Sequence, residues 1–217
     1  MTRADRPAAP HLRLERSLAR SGVEQIAGID EVGRGALAGP IFASAVILPI
    51  RRRGLAASLR GVNDSKMMTA QQRRRSADRI RRVALDWSLG QASCEEIDRV
   101  GPLEATRLAM GRAVRALHVV PQHLVIDHLR LADVDLPQTS IPHGDAQILS
   151  IAAASILAKV ARDDVMVDYA RDFPTYGFSR HKGYGTASHL EALRRWGPCP
   201  IHRRSFEPVS VLAVPPS

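Results

Sequence analysis

Two adjacent acids, Asp30 and Glu31, lie in the apolar run "IAGIDEVGRGALAGP" (residues 26–40), just ahead of a glycine-rich break. Two more acids stand where apolar chain meets polar chain: Asp127 closes "HLVID", and Asp145 lies in "HGDAQ" at a helix start. A lone aspartate in such a place usually serves a turn or caps a helix. The pair resists that explanation. A buried carboxylate needs a partner or a metal, and no basic residue lies between 21 and 33. Hard cations such as Mg²⁺ prefer oxygen ligands and keep several waters. Two such ions, roughly 4 Å apart, clamp the attacking and leaving oxygens of a phosphodiester. Four carboxylates from separate elements of a basic chain match that chemistry.

The basic balance points the same way. There are 31 Lys and Arg against 22 Asp and Glu, a formal charge of +9. Such an excess suits a polyanionic partner, most often nucleic acid. Aromatic residues at 4% argue against extensive base-stacking platforms. The two cysteines, Cys94 and Cys199, make neither a metal-type cluster nor a disulfide framework, so a reducing cytoplasm is the expected setting. No apolar run reaches the roughly 18 residues that a membrane span needs. The first residues lack the apolar core of a secretory signal. HExxH, paired CxxC, P-loop and GxSxG motifs are all missing. His181, His189 and His202 read as polar packing or surface residues rather than zinc ligands.

At 217 residues the chain suits one domain that can bury its core without disulfides. Residues 24–33 and 39–49 read as two strands, with "GRGALAG" as a hairpin-like connection. Thr69 reads as the N-cap of a helix that follows it. "DWSLGQAS" (86–93) reads as a third strand. A helical turn then ends at Gly101, and Pro102 opens the next helix. "HLVIDH" reads as a short buried strand, and the loop after it contains another short strand. "AQILSIAAASILAKVARDDVMVDYARDF" (146–173) reads as a long helix, and a short one is expected at about 186–196. Successive strand side chains point to opposite faces, so a regular strand sends only one of Asp30 and Glu31 to a given site. The glycines after them are expected to bend the chain so that both face it. The mixture predicts an α/β fold, a mixed sheet flanked by helices with a helical C-terminal extension.

The blocks "GIDEVGRGALAGP", "NDSK", "LVID", "GDAQILSIAAASILAKVARD", "YGFSRHKGYGT" and "GPCPIHRRSF" occur in that order, and over residues 24–208 the chain resembles bacterial ribonuclease HII. The resemblance implies a ribonuclease H-like fold. It implies hydrolysis of RNA paired to DNA, and cutting 5′ of single ribonucleotides in duplex DNA, to leave 5′-phosphate and 3′-hydroxyl ends. It implies two divalent ions, Mn²⁺ or Mg²⁺, held by Asp30, Glu31, Asp127 and Asp145. Asp30 and Asp127 would sit at the centre, and Glu31 and Asp145 would complete the set. Gly33, Arg34 and Gly35 match the loop that approaches the ribose 2′-hydroxyl, and Tyr184 matches the tyrosine that stacks at the RNA-to-DNA junction. Lys66, Lys159, Arg162, Lys182, Arg203 and Arg204 are candidates for phosphate contacts. Three positions depart from the family pattern: His128 replaces a usual glycine, and His143 and Met67 replace usual lysines. A hybrid-binding protein with weakened catalysis and a same-fold nuclease for branched DNA are the alternatives. The expected organisation is a flexible arm (1–20), a catalytic core (21–171), an extension that contributes to substrate binding (172–208) and a tail (209–217). The expected state is a cytoplasmic monomer with nucleic acid as partner.

Overall fold

A computed structural model describes residues 9–63 and 65–212. Among these residues, five strands form one sheet in the order β3-β2-β1-β4-β5. They are β1 (Ile26–Val32), β2 (Ile41–Ile47), β3 (Asp86–Ala92), β4 (His123–Asp127) and β5 (Gln138–Ile141). β1 pairs antiparallel with β2 and parallel with β4, so the strand bearing the paired acids is central. β2 is buried along its whole length, as its near-continuous apolar sequence requires.

Among the described residues, eight α-helices accompany the sheet: α1 (Arg13–Arg20), α2 (Leu55–Ser58), α3 (Ala70–Val83), α4 (Cys94–Arg115), α5 (Leu149–Asp172), α6 (Phe178–His181), α7 (Ala187–Trp196) and α8 (Val209–Leu212). α4 packs on one face of the sheet with Ala105, Ala109 and Ala113. α5 packs on the other through Ala152, Ala153, Ile156 and Val160, with α3 outside it. Small residues bring α5 close to β1. A Cβ on Gly28 would overlap the backbone of Ser150. Thr69 and Ser93 cap α3 and α4 with reciprocal capping boxes to Gln72 and Glu96. Within α4, Gly101 (φ 81°, ψ 162°) separates two helical segments, where the sequence places a stop and Pro102 a restart.

Two expectations are corrected. Residues 13–20, read as part of a loose or partly helical, flexible arm, form a helix that is docked on the core. Glu15 of α1 is fully buried, and its Oε1 accepts from the Ser150 amide (3.1 Å) and hydroxyl (2.9 Å). The alternation of arginines and leucines hid this, because the helix turns its one acid inward. Residues 209–212, read as tail, form α8 with Val209 buried against Leu37 and Leu193. Residues 1–8 of the arm, Asp64 of "NDSK" and residues 213–217 of the tail lie outside the described residues.

Candidate metal and nucleic-acid site

The parallel pairing of β1 with β4 ends at Ile29 and Ile126. Asp30, Glu31 and Asp127 are the next residues on the two strands. One carboxylate oxygen from each lies within 4.8 Å of the others. The antiparallel pairing with β2 runs on through Val32, so the glycine break comes too late to turn the acids. They converge because no partner on the β4 side lies beyond Ile126, so the longer Glu31 side chain can reach round the strand end to Asp127. Asp127 Oδ1 accepts from the Gly144 amide at 2.6 Å, which ties the short 3₁₀ turn Gly144–Ala146 to β4. That turn holds Asp145, which is buried, and Lys66 Nζ lies 3.5 Å from its Oδ2.

These carboxylates repel one another in a poorly solvated place. Burial raises the Asp30 pKa well above the ordinary aspartate value, and the charges of Glu31 and Asp127 raise it further. Burial also raises Glu31, against the pull of Arg34, whose Nη1 lies 3.7 Å from its Oε1. Asp127 is raised mainly by burial too. An all-oxygen donor set this close, with its charge only partly offset by Arg34 and Lys66, fits hard divalent cations.

Behind the acids, residues 33–40 form a loop held from below by two arginines. Arg203 is fully buried and donates to the carbonyls of Gly33 (2.7 Å), Arg34 (2.8 Å) and Gly39 (2.7 Å). Arg162, also fully buried, donates to Pro40 (2.9 Å), Ala38 (3.1 Å) and Lys182 (2.9 Å). The reading of Arg162 and Arg203 as phosphate contacts is therefore corrected. Their donors are turned inward onto backbone oxygens. Burial lowers both pKa values, that of Arg203 to about 10. Gly33 (φ 94°) is a packing glycine, because a Cβ there would run into Arg162 Nε. Gly35 is different: a Cβ would meet nothing, and its exposed backbone faces open space.

A cleft of about 710 Å³ brings together Asp30, Glu31, Gly33, Arg34, Gly35, Lys66, Asp127, Lys159 and Tyr184. Asp145 borders the acids but does not line the cleft. Tyr184 is half-buried, with the Arg162 guanidinium 5.3 Å and the Lys159 ammonium 5.9 Å from its ring centre. Lys159 is partly neutralised by Asp163 at 2.7 Å. Lys182 lies along a second groove, which shares Lys159 and Tyr184 with the cleft and adds Arg73, Arg74 and Arg180. Arg204 is exposed, and its amide donates to Asp98. Met67 is 72% exposed beside Lys66. Among the described residues, three that are not glycine have positive φ: His128 (59°), His143 (56°) and Lys182 (53°). All three border these two grooves. The left-handed backbone at 128 is what a glycine adopts without strain.

The sequence reading missed the part played by Arg203 and by the histidines of the extension. His189 Nδ1 bonds the Tyr184 carbonyl (2.9 Å), and its Nε2 meets His202 Nε2 (3.0 Å). His202 Nδ1 accepts from the Cys199 amide (3.0 Å). A carbonyl and an amide fix the two ends, so the chain is consistent with His202 Nε2–H donating to His189 and His189 Nδ1–H donating to Tyr184. Burial lowers both histidines to about 4. These rings are polar packing, as the sequence predicted, and the packing carries the backbone of Tyr184.

The ribonuclease HII family model matches residues 27–209. The ribonuclease HII of Moorella thermoacetica is 52% identical over 193 residues, covering 89% of this chain and 91% of that protein. That of Syntrophotalea carbinolica is 48% identical over 198 residues, covering 91% and 92%. Among solved structures, the ribonuclease H2 of Pyrococcus horikoshii superposes with a TM-score of 0.70 at 26% identity, over 87% of this chain and 96% of that one.

Proposed function

This chain belongs to the ribonuclease HII family and is a metal-dependent endoribonuclease with ribonuclease H activity; we propose that Asp30, Glu31, Asp127 and Asp145 hold its metal ions and that residues 33–35 read the ribose. We propose further that it cuts 5′ of single ribonucleotides in duplex DNA as well as within hybrids. The observation that carries this reading is one cleft in which converged carboxylates face the open backbone of Gly35. Mg²⁺ or Mn²⁺ would supply Lewis acidity for hydrolysis of the phosphodiester to a 5′-phosphate and a 3′-hydroxyl.

The protein residues do the rest. Arg203 and Arg162 fix the loop so that its backbone groups keep their places before a ribose arrives. A site built to bond a 2′-hydroxyl rejects deoxyribose, because its polar groups are then left unpaired. Tyr184 would stack on the next sugar, which suits a ribonucleotide followed by DNA. Lys66, Lys159 and Lys182 would meet the phosphates on either side. Arg34, exposed beside Glu31, would turn to the substrate once an ion relieves that carboxylate. Cys94 and Cys199 are free and buried, which agrees with a reducing, cytoplasmic setting.

The test is a DNA duplex with one ribonucleotide, incubated with Mg²⁺ and then Mn²⁺, with the cut mapped beside an all-DNA duplex and a branched junction. Cleavage 5′ of the ribonucleotide and none elsewhere is expected. Binding without cutting in either metal, or cutting of the ribose-free junction, would overturn the proposal.

A further inference from the structure

α1 carries Arg13, Arg16 and Arg20, spaced three and four apart, so all three lie on one helix face. All three are exposed and border one open groove, and among the described residues no acid forms an ion pair with any of them. The only acid of α1, Glu15, is buried on the opposite side against Ser150. At the far end, the Arg51 guanidinium reaches the Ala19 carbonyl (3.4 Å) and Glu24 (2.8 Å), which seats the 51–53 turn against α1 with Arg52 and Arg53 exposed. α3 is richer in arginine, and three of its six, Arg73, Arg74 and Arg81, face Asp163, Asp164 and Asp78.

Like charges stacked at such spacing destabilise a helix. α1 keeps them and is nonetheless firmly docked. His11 donates from its amide to Gln147 (2.9 Å) and accepts from Leu149 (3.1 Å). Gln147 is two residues beyond Asp145, so the chain leading into α1 is tied to the segment that carries that acid. The basic face runs about 10 Å, seven residues at 1.5 Å each. Arginine suits this place because its planar fork matches phosphate.

We propose that the exposed face of α1, extended by Arg52 and Arg53, is a second phosphate track, on which the substrate duplex lies where it leaves the cleft. This rests on the reading that a nucleic-acid duplex is the substrate. The track reads no sequence and no ribose. It lengthens the footprint and holds the enzyme on long duplexes.

The test measures binding by anisotropy in EDTA, so that nothing is cut, over a series of salt concentrations. The probe is a labelled 30-base-pair DNA duplex with one central ribonucleotide. The variant is Arg13→Gln/Arg16→Gln/Arg20→Gln in the full chain. Glutamine sustains a helix nearly as well as arginine, and the exposed arginines hold nothing in the core, so the thermal midpoint is expected to stay. A control removes the same charge across the sheet, as Arg107→Gln/Arg115→Gln/Arg130→Gln. Each lost phosphate contact takes about 0.9 from the slope of log K against log salt. The variant should therefore lose close to 3 units of slope and bind at least tenfold more weakly at 0.1 M salt, while the control changes little. An unchanged slope, the outcome for a face that serves an acidic protein instead, would overturn the proposal, as would an equal loss in the control. A native chain that binds no duplex at all refutes the substrate reading rather than this face alone.

Discussion

The two walls of the cleft solve opposite electrostatic problems. On one, carboxylates crowd together with too little positive charge beside them. On the other, two buried guanidiniums, Arg162 and Arg203, are met by backbone carbonyls. The acids are left unbalanced and wait for a cation from outside. The arginines are satisfied within the fold and need nothing. The difference separates a surface built to bind from one built to stay still: charge that is only partly compensated binds, and charge bound to backbone carbonyls through every guanidinium nitrogen holds shape.

The largest expected effect is at the acids. Asp30→Asn should abolish cleavage, by at least a thousandfold, with the fold retained. The raised pKa gives the accompanying sign. A carboxylate whose folded pKa is raised costs the folded state stability as pH rises above the ordinary carboxylate range. In EDTA at neutral pH, Asp30→Asn should therefore melt higher than the native chain. Mg²⁺ or Mn²⁺ should raise the midpoint of the native chain much more than that of the variant. A lower midpoint in EDTA would end the contrast between the two walls.

The arginine wall should respond in the other direction. Arg203→Met leaves the Arg34 and Gly39 carbonyls without their donor, while the Gly33 carbonyl keeps the Ala36 amide. Each orphaned group costs about 1–3 kcal/mol, so urea unfolding should show a loss of about 2 kcal/mol or more. Arg203→Lys should recover only part of it, since an ammonium lacks the planar fork. Among molecules still folded, cleavage at a single ribonucleotide should fall. A variant as stable as the native chain would mean that the loop stands without Arg203.

Tyr184 sits where the walls meet. Tyr184→Ala should reduce cleavage at a ribonucleotide-to-DNA junction about tenfold and cleavage within a hybrid much less, measured as initial rates on two labelled substrates. Equal losses would make it a packing residue. The histidines behind it should show in pH. His189 and His202 are held near 4, below the ordinary histidine value, so they stay neutral in the fold while the unfolded chain takes up protons. Stability is thus fully present above about pH 6.5 and is lost as pH falls toward 4. Urea midpoints at pH 7 and pH 5 measure it, and equal midpoints would remove the two rings from the account. The smallest effect belongs to His128→Gly. It relieves a left-handed backbone that costs a non-glycine residue about 1 kcal/mol or more, offset in part by the extra freedom of unfolded glycine. A gain of about 0.5 kcal/mol is expected in the same urea assay.

What could be known from sequence alone was set by residue type and local order. Asp30 beside Glu31, with no basic residue between 21 and 33, announced a site for positive charge. The glycines of residues 33–39 announced a backbone feature, and the alternation of strands and helices announced a mixed sheet. The N-cap at Thr69 and the stop at Gly101 were equally legible, because such signals act within a few residues. Burial was not legible, because it depends on what a distant segment brings. Arg162 and Arg203 carry the same charge as any surface arginine, and only packing of α5 and the 199–206 segment beneath the loop turned them inward. Glu15 met Ser150 across 135 positions. The left-handed turns at His128 and His143 belong to the chain path that joins β4, β5 and Asp145. The chemistry was written in side chains, while the direction each one faces was decided by contacts between segments far apart in sequence.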